Sequence, residues 1–188
     1  MKGFLEYLTE LSIQAAASFA STYHKGQTRK LSGDPYVVHP EAVFNSIKKL
    51  GIKDRNILTA AYLHDTVEDT PATYNKIKNE FNKEVADLVK ELTSSDKEIK
   101  TMGKPEYLAK KMIQMSDNAL VIKLADRWHN VQDVFQMPEN KAKKMIMQTN
   151  FILGELKAKR NLNKNHKKII REIEKTLERS GVTVYSLN

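Results

Sequence analysis

Apolar side chains recur at three- and four-residue spacing along nearly the whole chain, the period of helices that bury one face. The spacing predicts a first helix over 4–23, where Phe4, Leu5, Leu8, Leu11, Ile13, Ala15, Ala16, Phe19 and Ala20 recur mostly three and four apart. Pro40 can open a second helix through Leu50, because a first turn leaves its missing donor unneeded, and Gly51 suits the C-terminal cap. Further helices are predicted over 54–69, 71–81, 82–92, 105–115, 117–134, 139–159 and 163–179. Two of them carry runs with almost no polar face, ILTAAYL at 57–63 and ALVIKLA at 119–125, and are expected to be buried. The polar stretches 25–34 and 93–104 read as loops. The tail from Val182 to Leu187 reads as a short strand or an extended strap. The expectation is an all-α helical bundle of about eight to ten helices. It is read as one domain over residues 1–188, with a motif-bearing core over 5–135 and basic helices over 139–180.

Composition narrows the chemistry. The 188 residues include no Cys, which removes disulfides, thiolate nucleophiles and Cys-based zinc sites. No apolar run approaches the roughly 18 residues of a membrane span, so no membrane partner is expected. Glu6 and Glu10 stand where a signal peptide needs an unbroken apolar stretch, and a cytoplasmic location is expected. Residues 1–140 hold 19 Lys and Arg against 19 Asp and Glu; residues 141–188 hold 12 against 4. The whole net charge of +8 therefore lies in the last quarter. It reads as a solvated helix face, a rim facing an anionic substrate, or a nucleic-acid patch. Without interleaved aromatics, single-strand stacking is not expected, and nucleic acid is disfavoured as a partner.

Polar residues set into the two apolar helices carry the chemistry. His64, Asp65, Glu68 and Asp69 follow ILTAAYL at angles of about 0°, 100°, 40° and 140°, one polar stripe. Three carboxylates so placed repel one another and resist burial unless a cation compensates, and imidazole with carboxylate suits a divalent first-row metal. The plain alternative is a helix end emerging into solvent. Asp126 ends the apolar run of 119–125 with Asn130 one turn on; it is either a structural acid paired with Arg127 or Lys123, or a further metal ligand. In RKLSGDPYVVHP, Arg29 and Lys30 form a phosphate-type cation pair or exposed surface, and His39 a cap, a core residue or a ligand.

Three segments, HKGQTRKLSGDPYVVHP, AAYLHDTVEDT and VIKLADRWHNV, in this order and spacing, together resemble the hydrolase domain of the RelA/SpoT family, within the HD phosphohydrolase superfamily. The resemblance covers most of residues 5–135; with no room for a following synthetase domain it implies a stand-alone small alarmone hydrolase of the metazoan SpoT-homologue type. It implies an all-α fold holding one Mn²⁺, with Fe²⁺ or another divalent first-row ion as alternatives, on His39, His64, Asp65 and Asp126. It implies removal of the 3′-pyrophosphate of ppGpp or pppGpp to give GDP or GTP. Glu68 and Asp69 would then position the attacking water and handle its proton. Arg29 would pack on the guanine base, Lys30 would meet phosphate, and Asn130 would help hold the ribose-phosphate. The chain departs from the family's pattern at Gln132, where relatives commonly carry Arg, and at the bulky Trp128. If the basic helices flank the pocket, Lys141, Lys143 and Lys144 supply the cation that Gln132 lacks. Two further readings stand beside this one: an HD phosphohydrolase acting on another phosphorylated nucleotide, such as NADPH or a dinucleotide, and a non-catalytic basic helical protein binding nucleic acid through 141–179.

Overall fold

A computed structural model describes residues 3–181. Among them are eleven α-helices, one 3₁₀ turn and a single isolated β-bridge between Thr28 and Pro35, an all-α architecture as expected. The expected strand or strap in the tail from Val182 to Leu187 lies outside the described residues. No helix of the described residues is long and apolar enough to cross a membrane. The chain divides into two compact units, with the boundary between Ser94 and Ser95.

The first unit holds α1 (Phe4–Tyr23), α2 (Val38–Lys49), α3 (Arg55–Leu63), α4 (Thr66–Asp69), α5 (Tyr74–Glu80) and α6 (Lys83–Leu92). Its centre is α3, in which every residue from Ile57 to Leu63 is buried. A helix without a polar face must be enclosed, and α1, α2 and α6 all pack on it. Asp54 caps α3 by accepting from the Ile57 N–H at 2.9 Å. Between α1 and this helix the Ser12 and Thr59 hydroxyls pair at 3.1 Å. Pro40 lies in the first turn of α2, where no donor is missed, and Gly51 takes φ 83° just past the helix end.

The second unit holds α7 (Asp96–Met102), α8 (Lys104–Gln114), α9 (Asp117–Gln132), a 3₁₀ turn (Asp133–Phe135), α10 (Glu139–Lys159) and α11 (Lys164–Arg179). Here α9 is the apolar centre, packed by α10 and α11, while α8 packs on α10. Trp128 earns its bulk by reaching α11, where its indole N–H donates to the Thr176 hydroxyl at 3.2 Å. The Arg160 guanidinium closes the C-terminus of α8: it donates to the carbonyls of Met112, Ile113 and Met115 at 2.9, 2.9 and 2.5 Å, and to Asp117 at 2.7 Å. These are carbonyls that a helix end leaves without partners.

All nine helices marked by the apolar spacing are present, and two differences raise the number to eleven. The helix expected over 54–69 is interrupted at His64 and Asp65. Side chains capture backbone carbonyls there: His64 Nδ1 bonds the Ala61 carbonyl at 2.8 Å and the Thr66 hydroxyl the Leu63 carbonyl at 2.7 Å. The loop expected over 93–104 contains α7, which buries no residue and so shows no apolar period. Its signal is the cap, with Ser95 accepting from the Glu98 N–H at 3.3 Å.

Candidate metal centre

Burial and helix geometry bring three donor atoms of the first unit together. His39 stands in the first turn of α2, and His64 and Asp65 fill the break between α3 and α4. His64 Nε2 lies 3.2 Å from His39 Nε2 and 3.0 Å from Asp65 Oδ2, and His39 Nε2 lies 3.4 Å from the same oxygen. Both histidines are buried. A carbonyl only accepts, so the Ala61 contact puts the hydrogen of His64 on Nδ1 and leaves the Nε2 lone pair facing its neighbours. Imidazole fixed by a second bond in this way is the usual state of a metal-ligating histidine. The spacing also fits: donors about 2.1 Å from one ion and about 90–110° apart lie about 3.0–3.4 Å from each other. The donor set is that of a divalent-metal site.

Tyr36 ties this cluster to α4. Its hydroxyl donates to Asp65 Oδ2 at 2.7 Å, with Asp69 Oδ2 at 3.2 Å. Burial opposes ionisation of Asp65; positive charge on His64 and His39 beside it outweighs burial and holds the carboxyl well below its usual range, a part that a bound cation takes over when the imidazoles are neutral ligands. Asp69 moves the other way: burial and the charges of Asp65 and Glu68 raise it, against the Tyr36 hydroxyl and His24. Glu68 takes a different direction, its Oε2 accepting from the Ser94 backbone N–H at 2.6 Å.

The loop before α2 carries the remaining candidates of this unit. It closes on itself through the Arg29 N–H to the Asp34 carbonyl at 2.8 Å and the Tyr36 N–H to the Gln27 carbonyl at 3.0 Å, with Gly33 at φ 78° making the reversal. Lys30 is exposed and Arg29 half-buried. In the second unit, Asp126 sits on α9 with both carboxylate oxygens engaged: Lys123 Nζ lies 2.9 Å from Oδ2, and the Asn130 amide donates to Oδ1 at 2.5 Å. Lys143 pairs with Glu139 at 2.7 Å, whereas Lys141 and Lys144 are exposed.

Residues 16–161 match the family model described as HD domain. The chain belongs to the HD domain family. This HD domain is 41% identical over 136 residues to a probable GTP pyrophosphokinase of Mycobacterium leprae, a match covering 70% of the chain and 17% of that relative. It is 38% identical over 146 residues to a guanosine-3′,5′-bis(diphosphate) 3′-pyrophosphohydrolase of Aquifex aeolicus, covering 77% and 21%. It is 38% identical over 143 residues to the bifunctional (p)ppGpp synthase/hydrolase SpoT of Escherichia coli K12, covering 73% and 20%. The chain thus spans about a fifth of the length of the curated relatives it matches. Two solved structures share the fold. One is a metazoan ortholog of SpoT described as hydrolysing ppGpp, with TM-score 0.78, 24% identity and coverage of 92% of this chain and 97% of that one. The other is a Listeria monocytogenes protein with TM-score 0.59, 21% identity and coverage of 78% and 99%.

Sequence reasoning did not single out Tyr36, Gln27 or His24 in this HD domain. Gln27 donates to the Asp69 carbonyl at 2.9 Å and its amide oxygen meets His24 Nδ1 at 2.7 Å. The available signal was positional: Tyr36 precedes His39 by three residues, in the turn that leads into α2.

Proposed function

We propose that this chain hydrolyses guanosine alarmones at the 3′ position, converting ppGpp and pppGpp to GDP and GTP with release of pyrophosphate. The observation that carries the reading is the convergence of His39 Nε2, His64 Nε2 and Asp65 Oδ2 within 3.0–3.4 Å, on the motifs that resemble the RelA/SpoT hydrolase. The names of the Aquifex and Escherichia relatives agree with it. In this reading the two compact units act as a single HD hydrolase domain, working in the cytoplasm. The proposed ligands are His39, His64, Asp65 and, by its place in the third motif, Asp126. Mn²⁺ is the proposed ion, since mixed imidazole and carboxylate ligands suit it better than Mg²⁺.

When bound, such an ion lowers the pKa of a coordinated water and stabilises charge on phosphate oxygens. The chain's own residues do the rest. Tyr36 holds the Asp65 carboxylate in one orientation. Asp69, on the same hydroxyl, and Glu68 position the attacking water and take its proton. The water oxygen ends on pyrophosphate, the bond between ribose O3′ and phosphorus breaks, and a proton returns to O3′. Arg29 is proposed to stack on the guanine, Lys30 to meet phosphate, and Asn130 to hold the ribose-phosphate while orienting Asp126.

The test is to incubate the Mn²⁺-loaded protein with ppGpp, NADPH and a nucleotide panel and to identify products by ³¹P NMR and ion-exchange chromatography. GDP plus pyrophosphate from ppGpp, abolished by a chelator, is the expected result. Rapid cleavage of another nucleotide with ppGpp untouched overturns the reading.

A further inference from the structure

The reading above uses two of the buried histidines of the first unit and leaves a third, His24, without a task. His24 is 3% exposed. The two ends of the Gln27 amide are assigned by their partners: Nε2 donates to the Asp69 carbonyl at 2.9 Å, so the oxygen is the atom 2.7 Å from His24 Nδ1. That oxygen accepts only, and Nδ1 therefore carries the hydrogen. The acceptor Nε2 is left over. Among the described residues it is the one buried side-chain nitrogen or oxygen with no hydrogen-bond partner. A buried polar atom without a partner costs about 1–3 kcal/mol, and such atoms are routinely completed by internal water.

The surroundings of His24 give that water a use. The imidazole stacks on the Tyr36 ring, centroids 4.6 Å apart and planes at 29°. The Tyr36 hydroxyl bonds Asp65 and lies against Asp69, and the Gln27 amide links His24 to the Asp69 backbone. Asp69 is thus held from its main chain and its carboxylate by two residues that both contact His24.

We propose that His24 is a positioning residue of the hydrolase: its Nε2 anchors an internal water whose second hydrogen meets the Asp69 carboxylate, and its ring clamps Tyr36 and Gln27 so that this carboxylate keeps one orientation. This rests on the hydrolase reading for its functional meaning. The water stands apart from the metal ligands and is not the attacking one.

Two variants separate the nitrogens of the ring. In H24Q the carboxamide oxygen reaches the place of Nε2; in H24N the amide reaches only the place of Nδ1. The expected result is that H24N lowers kcat about 10- to 100-fold, the usual scale for residues one shell out from a metal site, with KM within about threefold. H24Q, which restores the acceptor for the water but not the ring, is expected to recover part of that loss. H24N with unchanged kcat, or both variants losing only thermal stability with normal kcat per folded molecule, overturns the inference. A high-resolution crystal structure of the wild-type protein with Mn²⁺ and GDP supplies the arm that needs no turnover. An ordered water between His24 Nε2 and Asp69 supports the inference, and an Nε2 bonded to nothing or to a protein group overturns it. Wild-type protein that leaves ppGpp intact counts against the hydrolase reading instead, and the crystallographic arm still decides the water.

Discussion

Replacing Tyr36 with Phe isolates what one hydroxyl contributes to the metal centre. The ring stays, and with it the stack on His24 and the edge contact with His39 at 5.9 Å between centroids. What goes is a 2.7 Å hydrogen bond to Asp65 Oδ2 and the weaker 3.2 Å contact with Asp69. A hydrogen bond to a charged group contributes about 1.5–3 kcal/mol. The Asp65 side chain is only 14% exposed, so water replaces the lost donor incompletely. The bond is part of the fold itself, so its first effect is on stability: a loss of about 1.5–3 kcal/mol, or roughly 3–12 °C in Tm for a chain of this size. The second effect is on affinity. Freed from Tyr36, Asp65 no longer presents Oδ2 in a fixed position beside the two imidazole nitrogens, and partners of metal ligands are typically worth about 10–100-fold in affinity. That range corresponds to about 1.4–2.7 kcal/mol, the same size as the bond itself. Titration of Mn²⁺, with the free ion read by electron paramagnetic resonance, measures it directly. An affinity for Mn²⁺ within threefold of wild type refutes the claim that Tyr36 preorganises Asp65.

Three further outcomes are expected. Glu68→Gln should leave Mn²⁺ affinity near wild type while slowing ppGpp turnover by about 10²–10⁴-fold; unchanged kcat counts against its role with water. Arg160→Ala strips the C-terminus of α8 of its partner and leaves carbonyls unpaired, costing at least about 3 kcal/mol in urea unfolding, and Arg160→Lys should restore only part. His166 is buried, accepts the Asn163 N–H on Nδ1 and donates from Nε2 to the Asp117 carbonyl, so it must stay neutral; burial pushes its pKa down, with Arg160 adding to this and Asp117 opposing. Stability is then full above about pH 6.5 and falls, by up to about 1.4 kcal/mol per pH unit, as pH drops toward the folded-state pKa. Denaturation midpoints across this range should lose that slope in His166→Gln.

Helix content was legible because nearly every helix buries a face, and burial writes its period into the residues. The exceptions follow from the same cause. In α7 nothing is buried, so only the Ser95 and Glu98 cap marked it. The break at His64 and Asp65 left the apolar pattern on either side intact, because two side chains redirect backbone bonds without changing which residues are inside. His64, Asp65 and Asp126 were legible as candidates because they are set against apolar runs, whereas His39 joined them only through the resemblance. Tyr36, Gln27 and His24 were not, since their contacts with Asp65, Asp69 and one another form only in the fold, and a polar residue in a loop looks the same whether it meets a carboxylate or faces solvent. Direction was invisible too: Glu68 and Asp69 are adjacent in the chain, yet one bonds the Ser94 backbone and the other meets Tyr36.

The two restraints on the metal-site side chains differ in how mutation can reach them. Asp65 is oriented by a tyrosine hydroxyl, and a single base change from a Tyr to a Phe codon deletes it. His64 is oriented by the carbonyl of Ala61, an atom that belongs to the backbone and survives every substitution at that position. The tautomer of His64 is therefore inherited with the helix and not with any codon, and only a change that bends or breaks α3 removes it. In a mutational scan, position 61 should respond to the volume, polarity and helix propensity of its side chain, while position 36 should discriminate sharply between Tyr and Phe.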